Sequence, residues 1–106
     1  MKFLQGNTYM LQIPLTKNKQ ELDINDVSIV EFTFENIRKI YGEGGDVTYN
    51  FERKCFEIPL SQEETFSLKA NEIIKYQARV KFTDNSVKGT GEYIGEVEES
   101  ISKEVL

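Results

Sequence analysis

The chain has 106 residues with 18 acidic and 13 basic side chains, a formal net charge of −5, no histidine, no tryptophan and one cysteine. That length holds one domain, so residues 1–106 are read as a single unit. The missing imidazole removes histidine-based acid–base catalysis and His-bearing metal sites, one thiol cannot close an intramolecular disulfide, and the acidic balance sets the overall field against nucleic acid.

The start, Met1-Lys2-Phe3-Leu4-Gln5-Gly6-Asn7, turns polar after two apolar residues. This is too short for a signal-peptide centre, and no later stretch approaches a membrane span, so synthesis in the cytoplasm and no membrane partner are expected. A single unpaired Cys55 agrees with a reducing compartment. Apolar residues at 39% and charged residues at 29% suit a folded domain, with seven Phe and five Tyr supplying much of its core.

Period two dominates the rest of the chain, the spacing at which alternate side chains leave opposite faces of a strand. Tyr9, Leu11, Ile13 and Leu15 share one face of a strand over 8–15, and Pro14, lacking an N–H, puts that strand at a sheet edge. Residues 16–21 read as a loop, and 22–26 as a tight turn. The strand over 27–35 has Val30, Phe32 and Phe34 on one face but Val27 and Ile29 on the other, which predicts a bulge near Ile29 or burial on both faces. A short strand over 37–41 enters the glycine-rich turn 42–46, from which 47–51 is predicted to return as a hairpin arm.

In the strand over 55–60, Phe56, Ile58 and Leu60 point inward, and Cys55 and Glu57 outward. Ser61-Gln62-Glu63-Glu64 then matches a capping box and predicts one short helix near 61–68. The clearest strand runs over 74–83, with Ile74, Tyr76, Ala78, Val80 and Phe82 on one face. A turn at 84–86 leads to a returning segment, 89–99, whose Glu92, Glu96 and Glu98 are expected across from Lys75, Arg79 and Lys81. About seven short strands with one short helix indicate an all-β chain, an antiparallel sandwich with immunoglobulin-like connectivity, the alternative being a small open barrel.

Each candidate for chemistry has a structural reading. The basic stripe Lys75, Arg79, Lys81 and Lys88 reads as a solvated sheet face paired with glutamates, though it would also suit an acidic partner. The glycines at 42–45 lack phosphate-loop spacing. Ser100-Ile101-Ser102-Lys103 has nucleophile and base spacing without the two further motifs or the large α/β body that such an enzyme needs. Asp23, Asn25 and Asp26 read as turn formers, Glu96, Glu98 and Glu99 as a solubilising cluster, and Cys55 as an incidental thiol. No catalytic, cofactor-binding or metal-ligating set emerges, so neither an enzyme nor a cofactor is expected. Tyr41 and Tyr49, beside the glycine turn, join Lys75, Arg79 and Lys81 as the candidate interaction surface.

Several segments together resemble a known family. Gly6-Asn7-Thr8-Tyr9, then 22–27 leading into Val30-Glu31-Phe32-Thr33-Phe34, are similar to the opening of small immunoglobulin-like β-sandwich proteins of phages and prophages of Gram-positive bacteria. The segments 58–66, Tyr76-Gln77-Ala78-Arg79-Val80-Lys81-Phe82 and Ser100-Ile101-Ser102-Lys103-Glu104-Val105-Leu106 extend the likeness over almost the whole chain. That group is similar in turn to the N-terminal module of phage baseplate upper proteins, here expected without a helical stalk or receptor-binding head. The resemblance implies a non-enzymatic virion structural or accessory protein of the tail, baseplate or head–tail region. Its implied partners are other phage structural proteins, with self-association through sheet edges at Thr8–Leu15 or the tail from Ser100, and its destination beyond the cytoplasm is the virion. The alternative is a small binding module for carbohydrate or a host surface protein, with Tyr41, Tyr49 and Tyr93 as stacking aromatics; the absence of tryptophan counts against it.

Overall fold

A computed structural model describes residues 2–17, 19–90 and 93–106, with only the backbone described at Tyr93 and Ile94. The chain is all-β. Its strands are β1 (Lys2–Leu4), β2 (Tyr9–Ile13), β3 (Thr16–Lys17), β4 (Gln20–Glu21), β5 (Val27–Phe34), β6 (Ile37–Tyr41), β7 (Thr48–Asn50), β8 (Cys55–Leu60), β9 (Ile73–Phe82), β10 (Val87–Gly89) and β11 (Tyr93–Glu98). Two short helical pieces interrupt them, a 3-10 turn at Ile24–Asp26 and α1 at Gln62–Phe66.

The strands form a large sheet in the order β1-β11-β9-β5-β6, with β10 also on β9, a second sheet β2-β8-β7, and a two-residue ribbon β3-β4. Every pairing between these strands is antiparallel except β1 with β11. β9, the longest strand, lies at the centre of the large sheet, with β5 on one side and β10 followed by β11 on the other. Between Gly89 opposite Arg79 and Tyr93 opposite Tyr76, the returning chain advances four residues while β9 advances three. This one-residue shift is what turns Val97 inward.

The two sheets share one core. Phe32 and Phe34 of β5 and Ile74, Ala78, Val80 and Phe82 of β9 are buried with Leu11 of β2 and Phe56, Ile58 and Leu60 of β8. Ring contacts join the layers: Phe56 lies 5.6 Å from Phe32, and Phe3 lies 5.6 Å from Tyr9. Period-two alternation in the long strands follows from this arrangement, because β5, β8 and β9 each lay one face on the shared core.

The capping box forms as its spacing predicts. Ser61 Oγ accepts from the Glu64 N–H at 3.1 Å, and Glu64 Oε1 accepts from the Ser61 N–H at 3.0 Å. Fully buried Thr65 then ties α1 to the first turn, accepting from the Gly6 N–H at 2.9 Å. The expected irregularity near Ile29 is present as a register shift between Val27 and Ile29, and the Pro14 signal is met by an edge strand that ends at Ile13.

Three expectations need correction. Residues 47–51 do not return beside β6. The chain crosses to the other sheet, where β7 pairs with β8, leaving only a parallel bridge from Val47 to Tyr41. The turn that carries the chain across admits only glycine at one position, since a Cβ on Gly45 would lie 2.0 Å from the Ile40 carbonyl oxygen. Cys55 does not point outward; it is 4% exposed, and β8 leaves the 51–54 turn with two successive buried residues, Cys55 and Phe56. Residues 16–21 include a minimal β-ribbon rather than loop alone. β1, not foreseen, buries Phe3 completely.

Candidate functional site

The outer face of the large sheet carries the basic stripe. Lys75, Gln77, Arg79 and Lys81 alternate away from the core along β9, and on β5 and β6 their neighbours are Ile29, Glu31, Thr33 and Arg38. The acid opposite Arg79 comes from β5 rather than from the returning segment. Glu31 accepts from Arg38 Nε at 2.5 Å through one oxygen and from Arg79 Nε at 2.9 Å through the other. The hydrogen bonds from Arg38 first and Arg79 second hold its carboxyl below the ordinary value. Opposite Lys75 and Lys81 the returning chain places Ile94 and Val87, while Glu96 lies across from Ile73. Glu92 lies outside the described residues. Lys88 pairs with Val80 and so takes the core-side parity, away from the stripe.

Beside this face a shallow cleft of about 180 Å³ is lined by Ile29, Glu31, Arg38, Arg79, Lys81 and Val87. Its bases outnumber its acids, although the whole chain is acidic. Ile29 and Val87 are exposed apolar side chains on the same face.

Tyr41 and Tyr49 occupy a different place. Both make T-shaped contacts with the Phe56 ring, their centroids 5.2 and 5.0 Å from its own, so they belong to an aromatic cluster between the sheets rather than to the basic face. Burial, reinforced by the charge of Glu21, raises the Tyr49 hydroxyl above its ordinary range. The exposed aromatic there is Phe51, 71% accessible and edge-on to Tyr49 at 5.2 Å. The side chain of Tyr93 lies outside the described residues.

One buried charge escaped the sequence reading. Lys39, with its side chain 9% exposed, reaches Asp46 in the glycine turn at 3.0 Å and Glu64 of the capping box at 2.8 Å. Burial alone raises the Glu64 carboxyl, but the hydrogen bonds from Lys39 and the Ser61 N–H outweigh it and hold the group below its ordinary value. The signal was available: in Ile37-Arg38-Lys39-Ile40-Tyr41 the inward parity falls on Lys39, where a core residue is due.

The other candidates take structural roles. Asp23 caps the 3-10 turn, accepting from the Asn25 N–H at 3.0 Å. The Ser100 hydroxyl donates to the Ser102 carbonyl, while Lys103 reaches Gln5 at 2.9 Å and Glu99 at 3.6 Å, so the serine and lysine do not pair. Glu98 meets Lys2 at 3.9 Å. Among the described residues no group of three Cys, His, Asp or Glu side chains is placed to hold a metal ion, and no helix is long and apolar enough to cross a membrane.

Fold and surface together define an all-β protein whose most distinctive exposed feature is a basic, partly apolar sheet face. No protein-family model, curated protein or solved structure matches the chain.

Proposed function

We propose that the chain is an immunoglobulin-like β-sandwich acting as a non-enzymatic protein–protein assembly module of a phage particle, in its tail, baseplate or head–tail region. Strand order supports the fold reading. If β2, β7 and β8 are taken as strands B, D and E, and β5, β6, β9 and β11 as C, C′, F and G, the strand orders β2-β8-β7 and β11-β9-β5-β6 match those of such a sandwich, with one of the two strands that a variable-type domain adds. The first strand lies on the G edge, parallel to β11.

The observation that carries the assembly reading is the outer face of the large sheet, where Ile29, Val87 and three bases stand exposed around Glu31. Exposed apolar side chains rimmed by charge are a usual mark of a protein contact. The particle itself enters through the likeness of segments such as 58–66 and 76–82 to phage proteins. Mass spectrometry of purified particles from an induced prophage encoding the chain tests this: stoichiometric recovery is expected, and absence from the particle refutes the structural role.

One observation favours the second reading, a binding module for carbohydrate or a host surface protein. Tyr49 and Phe51 line a cleft of about 350 Å³ with Ile24 and the Glu21–Lys54 ion pair. A glycan array and a cell-wall pull-down that both give no signal exclude it.

A further inference from the structure

The molecule carries two exposed apolar surfaces at opposite ends of its large sheet. One is the cleft at the Lys81 end of β9, where Ile29 and Val87 stand among Arg38, Arg79 and Lys81 with Glu31 as the acid. The other is the segment after β11, where Ile101 and Leu106 are fully exposed and Val105 is half exposed. That segment, 99–106, carries Glu99 and Glu104 against Lys103. Its charge is opposite to that of the cleft.

The segment does not cover the cleft of its own molecule. β11 ends beside Gln5, whose N–H donates to the Glu98 carbonyl at 3.1 Å, at the Ile73 end of β9. From there Lys103 is held by Gln5 at 2.9 Å, and the Leu106 N–H donates to Gln62 of α1 at 2.8 Å. Lys81 lies eight residue steps along β9 from Ile73, a distance of about 26 Å. The segment is tied down at the far end, leaving its apolar side chains pointing into solvent.

We infer that the 99–106 segment of one copy docks in the Ile29–Val87 cleft of a second copy, a head-to-tail contact in which the acids of the segment meet Arg38, Arg79 and Lys81. Such a contact uses two different surfaces of each molecule, so it propagates as an open chain or closes as a ring rather than stopping at a dimer. A segment of eight residues buries less than a standard interface, so association is weak and grows with concentration. This deepens the assembly reading by naming a partner, a second copy, and does not depend on the phage attribution.

Sedimentation of the full chain tests it with two variants, Val87→Asp in the cleft and the double substitution Ile101→Asp with Leu106→Asp in the segment. Both alter exposed side chains, and circular dichroism checks that each variant stays folded. The wild type at about 100 µM is expected to exceed dimer mass, and each variant alone to associate at least about tenfold more weakly. An equimolar mixture of the two variants is expected to form a dimer and nothing larger, because only one intact segment and one intact cleft remain to be joined. A wild type that stays monomeric, variants that associate like the wild type, or a mixture that fails to pair would each overturn the inference. A monomer recovered in purified particles would overturn this contact while leaving the assembly role intact; self-association of a protein absent from particles would do the reverse.

Discussion

Lys39 shows how much of a small protein can hang on one charge. Its ammonium joins β6, the glycine turn and α1, and replacing it leaves Asp46 and Glu64 facing each other without a cation. Lys39→Met is expected to cost about 1–3 kcal/mol, read as a lower urea midpoint. The acid limb of stability should also change. Glu64 is depressed in the folded state below an ordinary value of 4.5, so its contribution is complete above that value and is lost as pH falls through the folded one. Lys39 is held above 10.5 despite its burial, so its contribution is lost only at pH above that. Between about pH 5 and pH 3 the wild type should therefore lose stability more steeply than Lys39→Met. A residual slope remains from Glu31, which Arg38 and Arg79 also depress. Equal slopes for the two proteins would show that Lys39 does not govern Glu64.

Among the elements, the turn between β6 and β7 decides the topology, because it carries the chain from one sheet to the other. Gly44 has a φ of +78° with open space around it, whereas a Cβ on Gly45 would strike backbone. Gly44→Ala is expected to cost about 1 kcal/mol and Gly45→Ala about 2 kcal/mol or more by thermal unfolding; similar losses at both would mean the turn relaxes. This turn also marks where the sequence stops being informative. The capping box is legible because its hydrogen bonds join residues three apart, and β9 because alternation is written into consecutive residues. The partner of β7 is not, since a glycine turn permits a return beside β6 or a crossing equally well, and the choice rests on contacts with β8. Alternation misplaces Cys55 for a related reason: parity assigns a side, but not whether that side is covered. For the candidate surface, the basic stripe of β9 is visible in its alternation. Its counter-ion Glu31 and the separation of Tyr41 and Tyr49 from it depend on strand pairing.

At the scale of the whole molecule, Phe56 couples the layers, since it touches Phe32 and Tyr41 from the large sheet as well as Tyr49. Phe56→Ala is expected to cost about 3–5 kcal/mol. Neighbouring Cys55 supplies the readout: its buried thiol should react with Ellman's reagent only as fast as the native protein opens, and faster in the variant. Prompt labelling of the wild type would contradict a closed core. The parallel pairing of β1 with β11 has a consequence in time. Phe3, wholly buried, stands opposite Val97, 94 residues later in the chain. At synthesis rates of roughly 5–20 residues per second, a nascent chain spends on the order of 5–20 s with that phenylalanine unable to reach its place. β1 is thus made well before the strand it pairs with, and the interval exposes Phe3 to the ribosome exit region and to chaperones before the large sheet can close.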